Sequence, residues 1–258
     1  FMLIAGTNFA LFWHVLRGKP RHLIDNAEFR AYLLAVVGVG AVVSAVLYFG
    51  VGIAETPTNV DAIAGNVENA LRQGLFQTIA IVTTTGYASM DLNTWDASAQ
   101  TILLFAYFLG GSAGSAAGSI KIVRWVIAKR ATDRSLFVAA HPDAVRPVRL
   151  NDGVVDEETI REVLVFVLLF LALFAVSTVL LYLDSFRTPD LTLSGLEAMS
   201  VAIATLGNVG PGYGPVGPMD SFLRFSDAAK LYMTFLMWIG RLEILSVLVI
   251  FTPSFWQR

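Results

Sequence analysis

The 258 residues contain no cysteine. That excludes disulfide frameworks, thiolate metal sites and cysteine nucleophiles, and most redox chemistry goes with them. Charge is scarce too: Asp, Glu, Lys and Arg together make up 15% of the chain and nearly cancel, to a formal net charge of -2. Such a balance gives no electrostatic footprint for nucleic acid. Histidine occurs three times, as His14, His22 and His141, each isolated and without an i, i+4 partner, which fits interfacial or structural roles better than metal ligation. The chain opens at Phe1 inside an apolar run with no basic region before it, so the front is not a secretory signal and reads as the cut end of a longer chain.

What the sequence has in excess is apolar surface. The chain is 55% hydrophobic with a mean hydropathy of +0.65, well beyond a soluble domain, and it reads as an integral membrane protein. Phe1 to Trp13 fits the last turns of a helix arriving at the cytoplasm, because Arg17, Lys19 and Arg21 follow it and positive charge marks the inner face. Phe29 to Ile53 is long enough to span, and its glycines and alanines suit close helix contacts. Glu55, Asp61 and Glu68 then lie outside. After a short apolar helix the block Asp96 to Lys129 returns to Lys121, Arg124, Lys129, Arg130 and Arg134 on the cytoplasmic side. Val145 to Val155 reads as a small cytosolic hairpin turning at Asn151-Asp152-Gly153. Asp156, Glu157 and Glu158 place acids at the start of a helix that spans outward from Thr159 to Leu183. Ala228 to Thr252 crosses back inward.

Two stretches break this simple threading. Ala70 to Val82 is an apolar helix of about a dozen residues where a crossing helix needs ~20. It should enter the bilayer, stop, and turn at Thr83-Thr84-Thr85-Gly86-Tyr87. Leu193 to Ile203 repeats the pattern, ahead of Thr205 to Gly214, a segment too rich in Gly and Pro to stay helical. A non-helical turn at membrane depth is tolerated where it is buried in protein or lines a water-filled path. Its carbonyls can then bind cations, and Thr-Gly-Tyr after a half-length helix is also the order found in potassium-channel filters. A buried turn with no ligand remains the alternative for the first turn taken alone. The repeat of helix, half-helix, turn and helix gives the fold class: an all-α membrane protein built from two re-entrant units of the potassium-channel-like type.

Asp96 to Lys129 as one helix would reach about 50 Å, past a hydrocarbon core of ~30 Å. The weak point is Gly110 to Ser119, where helix propensity is lowest. Gly110, Gly114 and Gly118 also match a small-residue packing seam. A tight helix contact and a broken helix both fit, and the excess length favours the break. A phosphate-binding loop is excluded, because Ser119 rather than Lys follows Gly118 and no strand precedes it.

Several stretches together carry a family resemblance: Ala5-Gly6-Thr7-Asn8-Phe9-Ala10-Leu11, Thr83 to Tyr87, the Gly110 to Arg124 segment, His141-Pro142, Asn208-Val209-Gly210-Pro211-Gly212, Gly240-Arg241-Leu242-Glu243 and Phe251 to Trp256. In order and spacing the chain resembles the C-terminal half of the Trk/Ktr/HKT superfamily of potassium transporters, of the bacterial TrkH type, in which one chain carries four such units in a pseudo-fourfold array. The resemblance implies that 1–28 ends a preceding unit and adds a cytosolic linker, 29–130 is the third pore unit, 131–158 a cytosolic loop, and 159–258 the fourth pore unit. It implies that the carbonyls of Thr84, Thr85 and Gly86, with those of Asn208, Val209 and Gly210, are potassium ligands. Asn-Val-Gly departs from Thr-x-Gly, a departure the family shows at this unit. It also implies a homodimer in the lipid of the cell inner (plasma) membrane, regulated by a cytosolic TrkA-type nucleotide-binding subunit that docks near Lys121 to Arg161.

Arg241 is the sharpest single residue, a charge in an apolar crossing helix that costs roughly 3 kcal/mol or more. Glu243 lies two positions on and faces elsewhere. The resemblance places Arg241 below the filter beside the Gly110, Gly111, Gly114 and Gly118 segment, and the two together read as the gate. A structural ion pair is the plainer alternative. The external acids Glu55, Asp61, Glu68, Asp91, Asp96, Asp184, Asp190, Asp220 and Asp227 either gather cations at the mouth or form an ordinary solvated face. Trp13, Trp95, Trp125 and Trp256 fall near helix ends and fit interface anchoring. The reading is passive, gated potassium conduction with no covalent chemistry. Its alternatives are a non-conducting structural fragment of such a transporter, and an intramembrane enzyme, for which no Ser-His pair or metal-ligand set is evident.

Overall fold

The computed structural model describes residues 1–50, 53, 62–151, 153–189, 191–242, 244–250 and 252–256, with backbone alone at 245, 246, 248 and 254. Glu55, Asp61, Asp152, Asp190, Glu243, Phe251, Gln257 and Arg258 lie outside the described residues.

The apolar front is two helices rather than the end of one. α1 (Met2–Ala5) stops at Gly6, and α2 (Phe9–Leu16) starts afresh because the Asn8 side chain accepts from the Ala10 amide. After α3 (Arg21–Asp25), α4 (Ala27–Tyr48) begins where Asn26 accepts from the Phe29 amide. α5 (Val67–Val82) packs along α4 at contacts that only small residues allow: a Cβ on Gly74 would lie 2.4 Å from Ser44 Oγ. The small-residue seam read in the first crossing helix is used in this way.

α6 (Ala97–Ala106) is capped by Asp96 and ends ten residues on. α7 (Ile122–Ala140) resumes only after an irregular stretch, so the long apolar block is broken across the glycine-rich segment as its length requires. β1 (Arg149–Leu150) and β2 (Gly153–Val154) form the expected hairpin, narrower than Val145 to Val155, with the Val155 amide donating to Val148 O at 2.8 Å. α8 (Glu157–Ser185) is capped by Asp156, and α9 (Gly195–Leu206) starts with a reciprocal capping box between Ser194 and Glu197. The last apolar block is described as α10 (Asp227–Leu242) and α11 (Ile244–Ile250), followed by α12 (Pro253–Trp256).

Among the described residues, α4 and α8, at 22 and 29 residues, are long and apolar enough to cross a membrane. The expected crossing from Asp96 to Lys129 is divided into α6 and α7, and the last one is described as helix on both sides of Glu243, which lies outside the described residues. One apolar core joins α4, α5, α6, α9 and α10, with Trp95, Tyr107 and Tyr213 fully buried in it. Trp95 therefore does not anchor an interface, and its indole N–H points at Met90 Sδ, 3.3 Å away. Trp125 is likewise tied inward, donating to Phe108 O at 3.1 Å. His14 and His22 are not isolated either; the turn between α2 and α3 brings their rings to 5.1 Å.

Candidate functional site

The two short helices end in the same way. After α5, the Thr84 amide donates to Ile81 O at 2.9 Å, and the Thr85 and Gly86 amides both donate to Ala80 O, at 2.9 and 3.2 Å. After α9, the Asn208 amide donates to Thr205 O at 3.2 Å, and the Val209 and Gly210 amides both donate to Ala204 O, at 3.0 and 3.4 Å. Each bond in the second turn is the bond of the first moved along the chain by one fixed interval.

The backbone alternates in both. Thr84 has φ 50° and Gly86 φ 71°; Asn208 has φ 56° and Gly210 φ 115°. Glycine takes this region freely and asparagine tolerates it, but a β-branched threonine there is strained. Thr84 is held in place because its Oγ1 accepts the Gly118 amide at 2.8 Å. Asn208 is held by its own side chain, whose Nδ2 donates to Met237 O on α10 at 3.1 Å. Nothing in the sequence analysis marked Thr84 and Asn208 for positive φ; their shared register between the two turns was the available signal.

Turning the amides back onto the helices leaves the carbonyls over. Among the described residues, no hydrogen bond is accepted by the carbonyls of Thr84, Thr85, Gly86, Asn208, Val209 or Gly210. These oxygens lie beyond the C-terminal ends of α5 and α9, where the helix dipoles add negative potential. The turns also meet each other, since a Cβ built on Gly86 would stand 2.2 Å from Val209 O. Tyr107 and Tyr213 brace the pair from behind: Tyr107 Oη donates to Pro211 O and Tyr213 Oη to Gln100 O, each at 2.9 Å. An open cleft of about 410 Å³ lies outside them, with Gly86, Tyr87, Gly210, Pro211 and Asp220 on its wall. Unpartnered carbonyl oxygens, where they face a water-filled path, can replace water around a monovalent cation.

The segment between α6 and α7 closes the other side. It is an ordered loop rather than a frayed helix: the Gly110 amide donates to Ile120 O at 2.8 Å, Ile122 to Gly111 O at 3.1 Å, and Ser112 to Gly6 O at 2.8 Å. Gly114 O accepts from Phe9 at 3.4 Å, so the break between α1 and α2 is where this loop is received. Gly118 comes closest to the turns; a Cβ on it would lie 2.4 Å from Gly207 O. Glu28, buried in the first turn of α4, accepts the Ala113 amide at 2.5 Å. Nothing in the sequence separated this acid from an ordinary first-turn glutamate.

Arg241 stands in the last turn of α10, and its Nη1 donates to Ala116 O at 2.9 Å. The expected juxtaposition of arginine and loop is thus present. Lys121 adds a second cation on the neighbouring carbonyls of the loop, its Nζ donating to Ala117 O and to Ser115 O, the latter at 3.4 Å. With Arg124, whose guanidinium lies 3.7 Å from the Phe166 ring centre, they line a cavity of about 250 Å³ between the loop and Gly240. Gly240 has a packing reason of its own: a Cβ there would fall 1.9 Å from Leu206 O.

The external acids are mostly spent locally. Asp91 accepts the Asn93 amide, Asp184 the Ser226 hydroxyl at 2.8 Å, and Glu68 and Asp227 pair with Arg72 and Lys230. Asp96 caps α6, and the Ser98 hydroxyl holds its carboxyl below the usual carboxylate range. Of the described acids in that set, Asp220 alone lines the cleft outside the turns.

The family model described as "TrkH: Cation transport protein" matches residues 1–258. The chain is 28% identical over 259 residues to the Trk system potassium uptake protein TrkH of Salmonella typhimurium, covering all of this chain and 50% of that protein. It is 34% identical over 262 residues to the Trk system potassium uptake protein TrkI of Halomonas elongata, again over the whole chain and 49% of the relative. The crystal structure of the potassium transporter TrkH from Vibrio parahaemolyticus superposes with a TM-score of 0.79 at 30% identity, covering 99% of this chain and 51% of that one. The chain thus spans about half the length of the curated relatives it matches.

Proposed function

The chain belongs to the TrkH family of cation transport proteins, and from that premise we propose that it forms half of a potassium-uptake pore working by passive, gated conduction. The observation that carries the proposal is the pair of matching turns with their unpartnered carbonyls, closed against one another at Gly86 and Val209. In this reading potassium is the substrate, and the carbonyls of Thr84, Thr85, Gly86, Asn208, Val209 and Gly210 take the place of its water shell. The turns belong to two re-entrant units, 29–130 and 159–258, joined by the cytosolic segment 131–158.

The loop through Gly110, Gly111, Gly114 and Gly118 is the gate, and Arg241 holds it shut. A fixed positive charge ~6 Å from a permeating cation, at an effective dielectric near 20, raises the cation's energy by roughly 3 kcal/mol. While the guanidinium stays on Ala116 O, the path below the filter carries that penalty. Swinging loop and arginine aside removes it.

The pore sits in the cell inner (plasma) membrane as a multi-pass protein. It works as a homodimer, and its gate is set by a cytosolic TrkA-type nucleotide-binding subunit docking on the basic segment from Lys121 to Arg161.

Co-expression of this chain with the front half of its full-length parent in a potassium-uptake-deficient cell tests the proposal. Growth on low potassium supports it. Failure to grow, with both halves in the membrane, assigns the chain to the other reading its half-length suggests, a structural fragment that does not conduct.

A further inference from the structure

A second charged cavity lies between α7 and the segment that joins it to α8, and shares no lining residue with the cleft at the turns. Its volume is about 430 Å³, and Arg130, Arg134, Arg146 and Arg149 line it, with Asp133 as the one acid. The cavity is built before any ligand arrives. Beneath it Ile127 and Ala131 of α7, Val148 beside the hairpin, and Ile160 and Val163 of α8 form a small apolar core of their own, which fixes the three elements relative to one another.

Charge in this cavity does not cancel. Arg134 is committed to Glu157 through both guanidinium nitrogens, Nη2 reaching Oε2 at 3.0 Å. Asp133 is taken by Lys129 at 2.7 Å, and Arg130 donates to the carbonyl of Arg149. Arg146 lies 4.9 Å from the Phe137 ring centre. Among the described residues neither Arg146 nor Arg149 has a carboxylate partner, so the two acids at hand are spent and the cavity keeps an excess of forked donors. A concave set of guanidinium groups suits a phosphate, which accepts paired hydrogen bonds in that geometry.

Height along the molecule narrows the source of the phosphate. Glu157, bonded to Arg134, is the first residue of α8, and the Ala27 amide, at the first residue of α4, donates to Asn151 Oδ1 in the hairpin turn at 2.8 Å. These are the two helices long enough to cross a membrane. α8 begins beside this cavity and α4 beside the hairpin next to it, and with the segment facing inward, as proposed above, this is the level of the inner-leaflet headgroups. Basic pockets at that level draw anionic lipid.

We propose that the Arg130–Arg134–Arg146–Arg149 cavity binds the phosphate of an anionic phospholipid headgroup in the inner leaflet. The proposal rests on the inward-facing orientation of this segment and not on conduction, so a binding measurement separates its failure from failure of the pore reading.

The test is lipid binding to the purified full-length parent in detergent, by native mass spectrometry, with phosphatidylglycerol against phosphatidylcholine and with inorganic phosphate as competitor. Phosphatidylglycerol should bind at least ~10-fold more tightly, and Arg146→Gln with Arg149→Gln should erase the difference while leaving helix content by circular dichroism intact. Arg149 supplies Arg130 with a backbone oxygen, so the substitution keeps that contact. Arg146→Lys with Arg149→Lys, which keeps the charge and loses the fork, should retain only part of the preference. An unchanged preference in the glutamine variant overturns the proposal. So does displacement by millimolar inorganic phosphate with no preference between lipids, which would assign the cavity to a soluble phosphate. A glutamine variant that keeps its lipid preference but loses association with a cytosolic subunit overturns it in favour of a protein-docking face.

Discussion

Arg241 reaches across from the last turn of α10 to the carbonyl oxygen of Ala116, in the loop that interrupts the α6–α7 block, at 2.9 Å. The bond joins two segments far apart in sequence, at a cavity that Lys121 and Arg124 also line. On the gate reading proposed above, replacing Arg241 with alanine frees the loop and removes the field below the filter. Leak of rubidium from vesicles in the closed state should rise roughly 10- to 100-fold. An unchanged leak removes the arginine from the gate.

The Thr84 hydroxyl ties the first turn to the same loop, accepting from Gly118. Thr84→Val keeps the β-branched strain and removes the acceptor, leaving a partly buried amide unpaired at a cost of about 1–3 kcal/mol. Thr84→Ser should restore it, and Thr84→Asn should relieve the strained φ as Asn208 does in the second turn. Thermal unfolding in detergent reads the order: valine lowest, serine and asparagine near the parent. A valine variant as stable as the serine one would contradict the tie.

Gly240 and Gly38 predict opposite effects of the same substitution. A Cβ on Gly240 would enter the backbone of α9 at Leu206 O, whereas one on Gly38 meets nothing within 4 Å. Gly240→Ala should therefore destabilise by at least the 1–3 kcal/mol of an overpacked core. Gly38→Ala should be neutral or stabilising by up to ~1 kcal/mol through helix propensity. Melting temperatures of the two variants should move in different directions or differ clearly in size.

Asp96 gives a pH dependence with a definite sign. Its carboxyl caps α6 and is held below the ordinary carboxylate value, chiefly by the Ser98 hydroxyl. A carboxyl with a depressed folded pKa contributes stability that is complete above its unfolded value and is lost as pH falls through the folded one. The cap should therefore act undiminished at neutral pH and weaken only below about pH 4. Asp96→Ala should cost ~1 kcal/mol at pH 7, with the gap to the parent closing in acid; a gap independent of pH would show that the carboxylate is not the cap.

Much of this architecture was legible in the letters. Too short a helix before Thr83, too long an apolar block after Asp96 and a repeat after Leu193 place the two turns and the break, because membrane thickness is a ruler that length alone can be read against. The helix start at Asp156 was read from its acids, whereas the caps at Asn26, Asp96 and Ser194, equally local, were not picked out. What was not legible depends on contacts between distant segments. Trp95 sits near a helix end like an interface anchor, yet the core closes over it. Glu28 looks like a first-turn acid and turns out to hold a loop far along the chain. The break between α1 and α2 has no local length argument; its purpose is seen only in Gly6 O accepting from Ser112. Thr84 needed the loop at Gly118 to explain a conformation that its own chemistry disfavours.

The central claim is that the carbonyls around Gly86 and Gly210 select the ion. Gly86→Ser tests it most directly, because the added side chain must enter space next to Val209 O at a backbone φ of 71°. The measurement is rubidium against sodium flux in vesicles containing the full-length parent or the variant. The parent should pass rubidium in preference to sodium, and the serine variant should lose that preference while staying folded in the membrane. An ion preference unchanged by the substitution would contradict the filter assignment.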